Sequence, residues 1–328
     1  MYNLRVARKI LERVHKALAN RLSEIGKIRN LSTPEPYLPD NGISKLKSLN
    51  FWTGLKDYGK INEALIREIF TAFSQRGAYP IAHLRANAPW ELVADQLNET
   101  VIKRVIQHDL RLGEKGRKRD PQLLEELFRM CCRYAGQAPS IAKLTQEIQI
   151  ALHANIGSQR VRAYLKFLSD TLLIRLIQPL EIRLKNKRSD PKICLADHSL
   201  RSSWLQEHVP LEFENDDTNQ DMATLAGYLA ESVVGALFSS IGGLDLSHLP
   251  GKGSEPEVDF VLTIGDQRIP IEVKYRNTIK NEHYKGLQCF IDKRINRAPF
   301  GLLITKNETE SIDARVITLP LKHLLILR

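Results

Sequence analysis

Three residues in the last third of the chain have the types and the spacing to do chemistry on a phosphodiester: Asp259, Glu272 and Lys274. Glu272 and Lys274 stand two apart in a run that alternates like a β-strand, so their side chains leave the same face, while Val273 between them leaves the other. Asp259 sits in the preceding alternating run. Two carboxylates and an ammonium on one sheet face make a hard-oxygen site suited to Mg2+ (or Mn2+), with the backbone carbonyl of Val273 as a further oxygen ligand. In such a site the metal polarises the phosphodiester and acidifies a water, and Lys274 orients that water or stabilises developing charge. Glu231, upstream, would complete the metal shell or hold a second ion. Singly, each residue has a plainer reading: a Glu-x-Lys pair in a strand is usually a cross-strand salt pair, and a lone helix glutamate is ordinary.

What lifts the group above these readings is the order of the elements that carry it. Met222–Ser240 has a helical pattern, with Leu225, Leu229, Val233 and Leu237 on one stripe and Glu231 off it. Glu257–Ile264 then alternates as a strand, Gly265 and Asp266 turn the chain, and Arg268–Tyr275 returns as a second strand. A helix over Tyr284–Ile295, an apolar strand over Phe300–Thr305 and an edge strand over Val316–Leu319 follow. The order is that of an α/β domain around a small mixed sheet, similar to a PD-(D/E)XK, or restriction-endonuclease-like, nuclease core.

Ahead of it the pattern is helical. Helices are expected over Ile61–Phe73, Trp90–Asp109 and Pro121–Tyr134, the last with Asp120 as N-cap and Pro121 in the first turn. A short helix follows over Ile141–Leu152 and a further helix from Gln159 to about Leu173, with Ser158 placed to cap the second. A hairpin pattern comes next, Ile177–Leu184 and Ile193–Ala196 around a basic turn, Lys185–Pro191. Three helices and a basic hairpin describe a winged helix. Its third helix would lie in a major groove, with Gln159, Arg162 and Lys166 outward for bases and phosphates and Lys185, Lys187 and Arg188 reaching the backbone. Winged helices also serve protein contacts, so both uses stay open.

The chain as a whole is α+β and multidomain: a basic helical region and linker over 1–76, a helical and winged-helix domain over 77–205, and the nuclease-like domain over 222–328, with the acidic stretch Gln206–Asp221 as the boundary. With 328 residues, 43% hydrophobic and 26% charged, it is too long and too mixed to be disordered throughout. Forty-eight basic against 38 acidic residues give a net charge of +10. The excess gathers in Arg5–Arg29, Lys103–Arg119 and Arg183–Lys192, the footprint of a nucleic-acid surface or of ordinary solvated helix faces. Asn3–Ile28 reads as a basic amphipathic helix and Leu31–Asn41, with three prolines, as a linker. With no long uncharged apolar run and no secretory pattern at the start, the expectation is a cytoplasmic protein with no membrane partner. Cys131, Cys132, Cys194 and Cys289 fit neither a zinc spacing nor a disulfide framework and read as reduced and structural. Gly54, Gly59 and Lys60 match the spacing of a phosphate loop, but Ile61 stands where a Ser or Thr would hold magnesium, so no ATP site is expected.

Several segments together resemble a known family: RVIQHDL from Arg104, VRAYLKFLSDTLLIRLI from Val161, ICLADHSLR from Ile193, LAESVVGALF from Leu229, EVDFVL from Glu257 and IPIEVKY from Ile269. From about Gly77 to Lys306 the chain is similar to the C-terminal module of prokaryotic AAA-type ATPases, domain of unknown function 4143. The resemblance implies a winged helix before a PD-(D/E)XK-like domain, with Glu231, Asp259, Glu272 and Lys274 at the nuclease-type positions. It also implies an N-terminal ATPase domain, for which residues 1–76 are too short. The expectation is therefore a standalone or shortened member: either a Mg2+-dependent endonuclease acting on double-stranded DNA, or a noncatalytic DNA-binding adaptor that works with a separate partner ATPase.

Overall fold

The computed structural model describes residues 42–108, 119–181, 189–212, 220–251, 253 and 256–327. The basic helix and linker expected in the first 41 residues, and Lys185, Lys187 and Arg188, lie outside the described residues. Among those described, the architecture is mixed α/β: twelve α-helices and one seven-stranded sheet in the order β2-β1-β3-β4-β5-β6-β7.

The helices before the sheet are α1 (Leu49–Ile61), α2 (Glu63–Arg76), α3 (Pro80–Leu84), α4 (Trp90–Leu97), α5 (Lys103–His108), α6 (Pro121–Arg133), α7 (Ile141–Leu152) and α8 (Ser158–Asp170). The glycines of the phosphate-loop look-alike fall inside α1, where Trp52 is fully buried and donates its indole N–H to the Leu46 carbonyl at 2.8 Å. A single π-turn, Asn98–Ile102, joins α4 to α5, so the helix expected from Trp90 is interrupted in its middle. Asp120 caps α6 through the Leu123 N–H, satisfying one of the amide groups a helix start leaves open. The cap of α8 differs from expectation. Gly157 takes the N-cap position, and Ser158 is the first helical residue, its hydroxyl accepting from Thr145 of α7.

Strands β1 (Ile174–Pro179) and β2 (Lys192–Leu195) form the antiparallel hairpin, and β1 then pairs in parallel with β3 (Asp245–Leu249) through only two residues, Gln178 with Ser247 and Pro179 with His248. The hairpin thus joins the same sheet as β4 (Val258–Ile264), β5 (Gln267–Lys274), β6 (Gly301–Thr305) and β7 (Val316–Pro320). Strands β3, β4 and β5 are antiparallel; β5, β6 and β7 are parallel, with α11 (Lys285–Asp292) in the β5–β6 crossover. Burial in β4 is nearly continuous rather than alternating, because helices and loops cover both faces of the sheet centre.

Between the two groups of strands lie α9 (Ser199–Leu205) and the long α10 (Gln220–Ser240); α12 (Leu321–Leu324) closes the described chain. By length and composition α10 could cross a membrane, which the sequence reading did not foresee. Here it packs on the sheet, with Leu229, Val233, Val234 and Phe238 buried. One hydrophobic cluster runs from Leu46 to Leu327, taking in helices and strands from both sides of the 206–221 stretch.

Candidate functional site

Asp259, Glu272 and Lys274 come together where β4 and β5 run side by side. The ladder that pairs Phe260 with Ile271 brings the next residue, Asp259, across from Glu272. Its Oδ2 accepts the Val273 N–H at 2.8 Å, which locks the carboxylate onto the neighbouring strand. Val273 therefore contributes to the group through its N–H, a role the sequence reading did not give it. Lys274 donates to Glu272 Oε1 at 2.5 Å and lies 3.9 Å from Asp259 Oδ2.

Glu231 of α10 joins the same group, but through a residue that sequence reasoning had counted only within a basic cluster. The ammonium of Lys192, the first residue of β2, is hydrogen-bonded to Glu231 Oε1, lies 3.4 Å from Asp259 Oδ1 and 3.7 Å from Glu257, and sits 5.0 Å from the centre of the Phe260 ring. Only 2% of the Lys192 side chain is exposed. A lysine so deeply buried must have anionic partners, since an unpaired charge in such a place would cost several kcal/mol (~5). The signal in the sequence was a lone cation opening an apolar strand, Lys192 before Ile193, Cys194 and Leu195.

The charges act on one another strongly. Burial raises the Glu231 carboxyl well above the ordinary range, and the negative charge of Asp259 adds to this against the pull of Lys192. Burial would raise Asp259 too, but Lys192, Lys274 and the Val273 N–H hold it below the usual aspartate value. Glu272 is pushed up to about 8, by burial first and by Asp259 second, with Lys274 opposing. Both lysines are raised: burial works against their charge, and the carboxylates outweigh it.

One oxygen of the group is left open. Glu272 Oε2 is buried with no hydrogen-bond partner. Beside it lies Gly286, where a Cβ would stand 3.5 Å from Glu272 Oε2 and only 2.7 Å from the Glu257 carbonyl. An unpaired buried carboxylate oxygen is the kind of acceptor that a cation or its water would satisfy. Asp259 and Glu272 are thus the carboxylates that could hold a divalent ion. The full four-ligand shell is another matter. Among the described residues no three His, Cys, Asp or Glu side chains stand as a metal-holding group, and Glu231 is engaged by Lys192. A magnesium-like ion would need only one or two carboxylates and would keep several of its waters.

Three hydrogen bonds from outside the hairpin fix β2, and with it Lys192. Gly136 N donates to the Ile193 carbonyl at 2.7 Å and Ile193 N to the Gln137 carbonyl at 2.8 Å, and the Ser232 hydroxyl of α10 accepts the Leu195 N–H at 2.8 Å. Gly136 has φ +80°, and a Cβ there would stand 2.2 Å from the Tyr228 carbonyl oxygen of α10. Since neither the backbone angle nor the opposing carbonyl can yield cheaply, Gly136→Ala is expected to lower stability by about 2 kcal/mol. A urea titration would register this as a lower midpoint at unchanged slope.

The other expected contact residues lie on α8. Gln159, Arg162 and Lys166 are exposed there, while Val161, Leu165 and Leu168 face inward. Arg162 pairs with Asp190 at 3.4 Å and Lys166 with Asp170 at 3.0 Å. Of the cysteines, Cys131, Cys132 and Cys194 are buried and free, whereas Cys289 is free and exposed on α11.

Residues 226–324 match the model of a domain of unknown function, DUF4143. Residues 67–209 match that of a second domain of unknown function, DUF8612. The DUF4143 resemblance is thus supported over a shorter stretch than the sequence segments implied, and the hairpin and helices α3 to α9 lie within the stretch matched by the second model. No match was found among curated proteins or among solved structures. Glu231, Asp259, Glu272 and Lys274 lie within the DUF4143 stretch, and Lys192 within the DUF8612 stretch.

Proposed function

We propose that the chain is a DNA-binding protein whose C-terminal third is a PD-(D/E)XK-type domain hydrolysing phosphodiester bonds with Mg2+ (or Mn2+). The observation that carries this reading is the meeting of Asp259, Glu272 and Lys274 around a buried, unpartnered carboxylate oxygen. Asp259 and Glu272 would hold the ion, which when bound would polarise the phosphodiester and lower the pKa of a bound water. Lys274, between both carboxylates and with about a quarter of its side chain exposed, is the group to orient the attacking water and to stabilise charge on the phosphate. Burial of the carboxylates excludes bulk water and strengthens each of these interactions.

The order α6, α7, α8, β1, β2 supports a winged helix, with α8 presented to the major groove of double-stranded DNA. The Lys166–Asp170 pair is solvent-exposed and the Arg162–Asp190 pair partly so, each worth under about 1 kcal/mol, so phosphates could displace the aspartates. We place the protein in the cytoplasm and away from membranes. A second reading has its own observation: Lys192 already neutralises part of the acidic group. On that reading the chain is a noncatalytic DNA-binding adaptor that retains the nuclease-type fold and works with a separate ATPase.

Supercoiled plasmid incubated with the purified protein in Mg2+, Mn2+ and EDTA decides between them. Nicking that needs the metal and vanishes in Asp259→Ala and Lys274→Ala is the expected result. A salt-sensitive plasmid shift without cleavage would replace the nuclease reading by the adaptor.

A further inference from the structure

Resting on the metal-site reading above, the buried ion group says how many ions the site takes. We propose that Lys192 is a built-in cation occupying a second cation position, between Glu231 and Asp259, so that the site takes one divalent ion, on the Asp259–Glu272 side. Three features carry it. The Lys192 ammonium contacts both carboxylates, Glu231 by a hydrogen bond and Asp259 at 3.4 Å, which is where an ion bridging them would sit. The side chain is almost wholly buried, so its charge has little access to solvent. The one buried carboxylate oxygen of the group without a partner, Glu272 Oε2, is on the residue Lys192 does not contact.

Two-metal phosphodiesterases clamp the attacking and leaving oxygens with a pair of ions. Here Lys192 supplies the second positive charge and sets the positions of Glu231 and Asp259. It is a positioning residue, since nothing places it against substrate. A lysine ammonium cannot acidify a water as a metal does, so one ion must supply that chemistry alone.

Counting bound Mn2+ by electron paramagnetic resonance tests this without reference to cleavage. The wild-type chain is expected to bind one Mn2+, and Lys192→Met, which keeps the unbranched chain without the terminal ammonium, to bind two. In Lys192→Met/Glu231→Gln the count should fall back to one, which locates the second ion at Glu231. A Lys192→Met chain that binds no more Mn2+ than wild type overturns the proposal, as does a double variant that still binds two. If wild type binds none while Lys192→Met binds one at Glu231, the role of Lys192 stands and the metal-site reading of the wild-type chain fails. Should Lys192→Met be unfolded without metal, Mn2+ is expected to restore its folding, as followed by circular dichroism; failure to restore it counts against the proposal.

Discussion

Asp259→Asn is expected to lose metal-dependent plasmid cleavage by about a hundredfold or more, the scale on which a site loses one electrostatic group aimed at the reaction, while remaining folded. The reason lies in the two jobs of this carboxylate. Oδ2 accepts the Val273 N–H, and an asparagine oxygen can accept the same bond. Oδ1 answers the Lys192 ammonium, and the negative charge that would hold a metal belongs to the same group; asparagine supplies no charge. Asp259→Ala removes both functions, leaving a buried N–H unpaired at a further cost of about 1–3 kcal/mol. Comparing the two variants by plasmid cleavage and urea unfolding separates chemistry from stability. Equal cleavage by Asp259→Asn and wild type would sink the assignment of Asp259 to the reaction.

The second large effect is on stability, and its sign is opposite. Glu272→Gln is expected to stabilise the metal-free protein at alkaline pH. The Glu272 carboxyl titrates at about 8 in the folded chain and at its ordinary, lower value in the unfolded one, so the folded state holds a proton that the unfolded state has released. The stability contributed by that proton is complete below the ordinary glutamate value and is lost as pH climbs through about 8. Glutamine has nothing to titrate and keeps its stability across the window. At pH 9 in EDTA the variant should exceed wild type by on the order of 2–4 kcal/mol, reduced by whatever its lost contact with Lys274 contributes, and at pH 5 the two should nearly coincide. Urea unfolding at both values is the measurement, and a gap that is the same at pH 5 and pH 9 would contradict the raised carboxyl. A carboxylate that carries an unpaired oxygen of its own and weakens the fold when charged is the kind of group that functional sites retain.

The sequence showed the core of the site because its signals are local. Asp259, Glu272 and Lys274 lie on strands whose apolar neighbours define them, and the short turn between the strands leaves little choice of pairing. Likewise α7 begins and ends at the residues its pattern implied, Ile141 and Leu152. Elements held by long-range contacts were not legible. Strand β3 buries Ser247 and His248 and shifts register between Ser247 and Leu249, so it carries no alternation. Helix α9 buries three serines and an arginine in place of an apolar stripe. In α1 the Gly54–Lys60 spacing drew attention from a helix whose buried face is Trp52 and Leu55. The partnership of Lys192 with Glu231 and Asp259 spans residues far apart in sequence, and only folding brings them together.

The origin of Lys192 bears on how such chains can be assembled in evolution. The cation comes from the stretch matched by one family and its carboxylate partners from the stretch matched by the other. Were residues 226–324 transplanted behind a different N-terminal neighbour, Glu231 and Asp259 would each arrive without the Lys192 ion pair. A new neighbour must therefore bring a positive charge to that spot or leave it to a metal, so the lysine works as a molecular password between two modules that can otherwise be inherited apart.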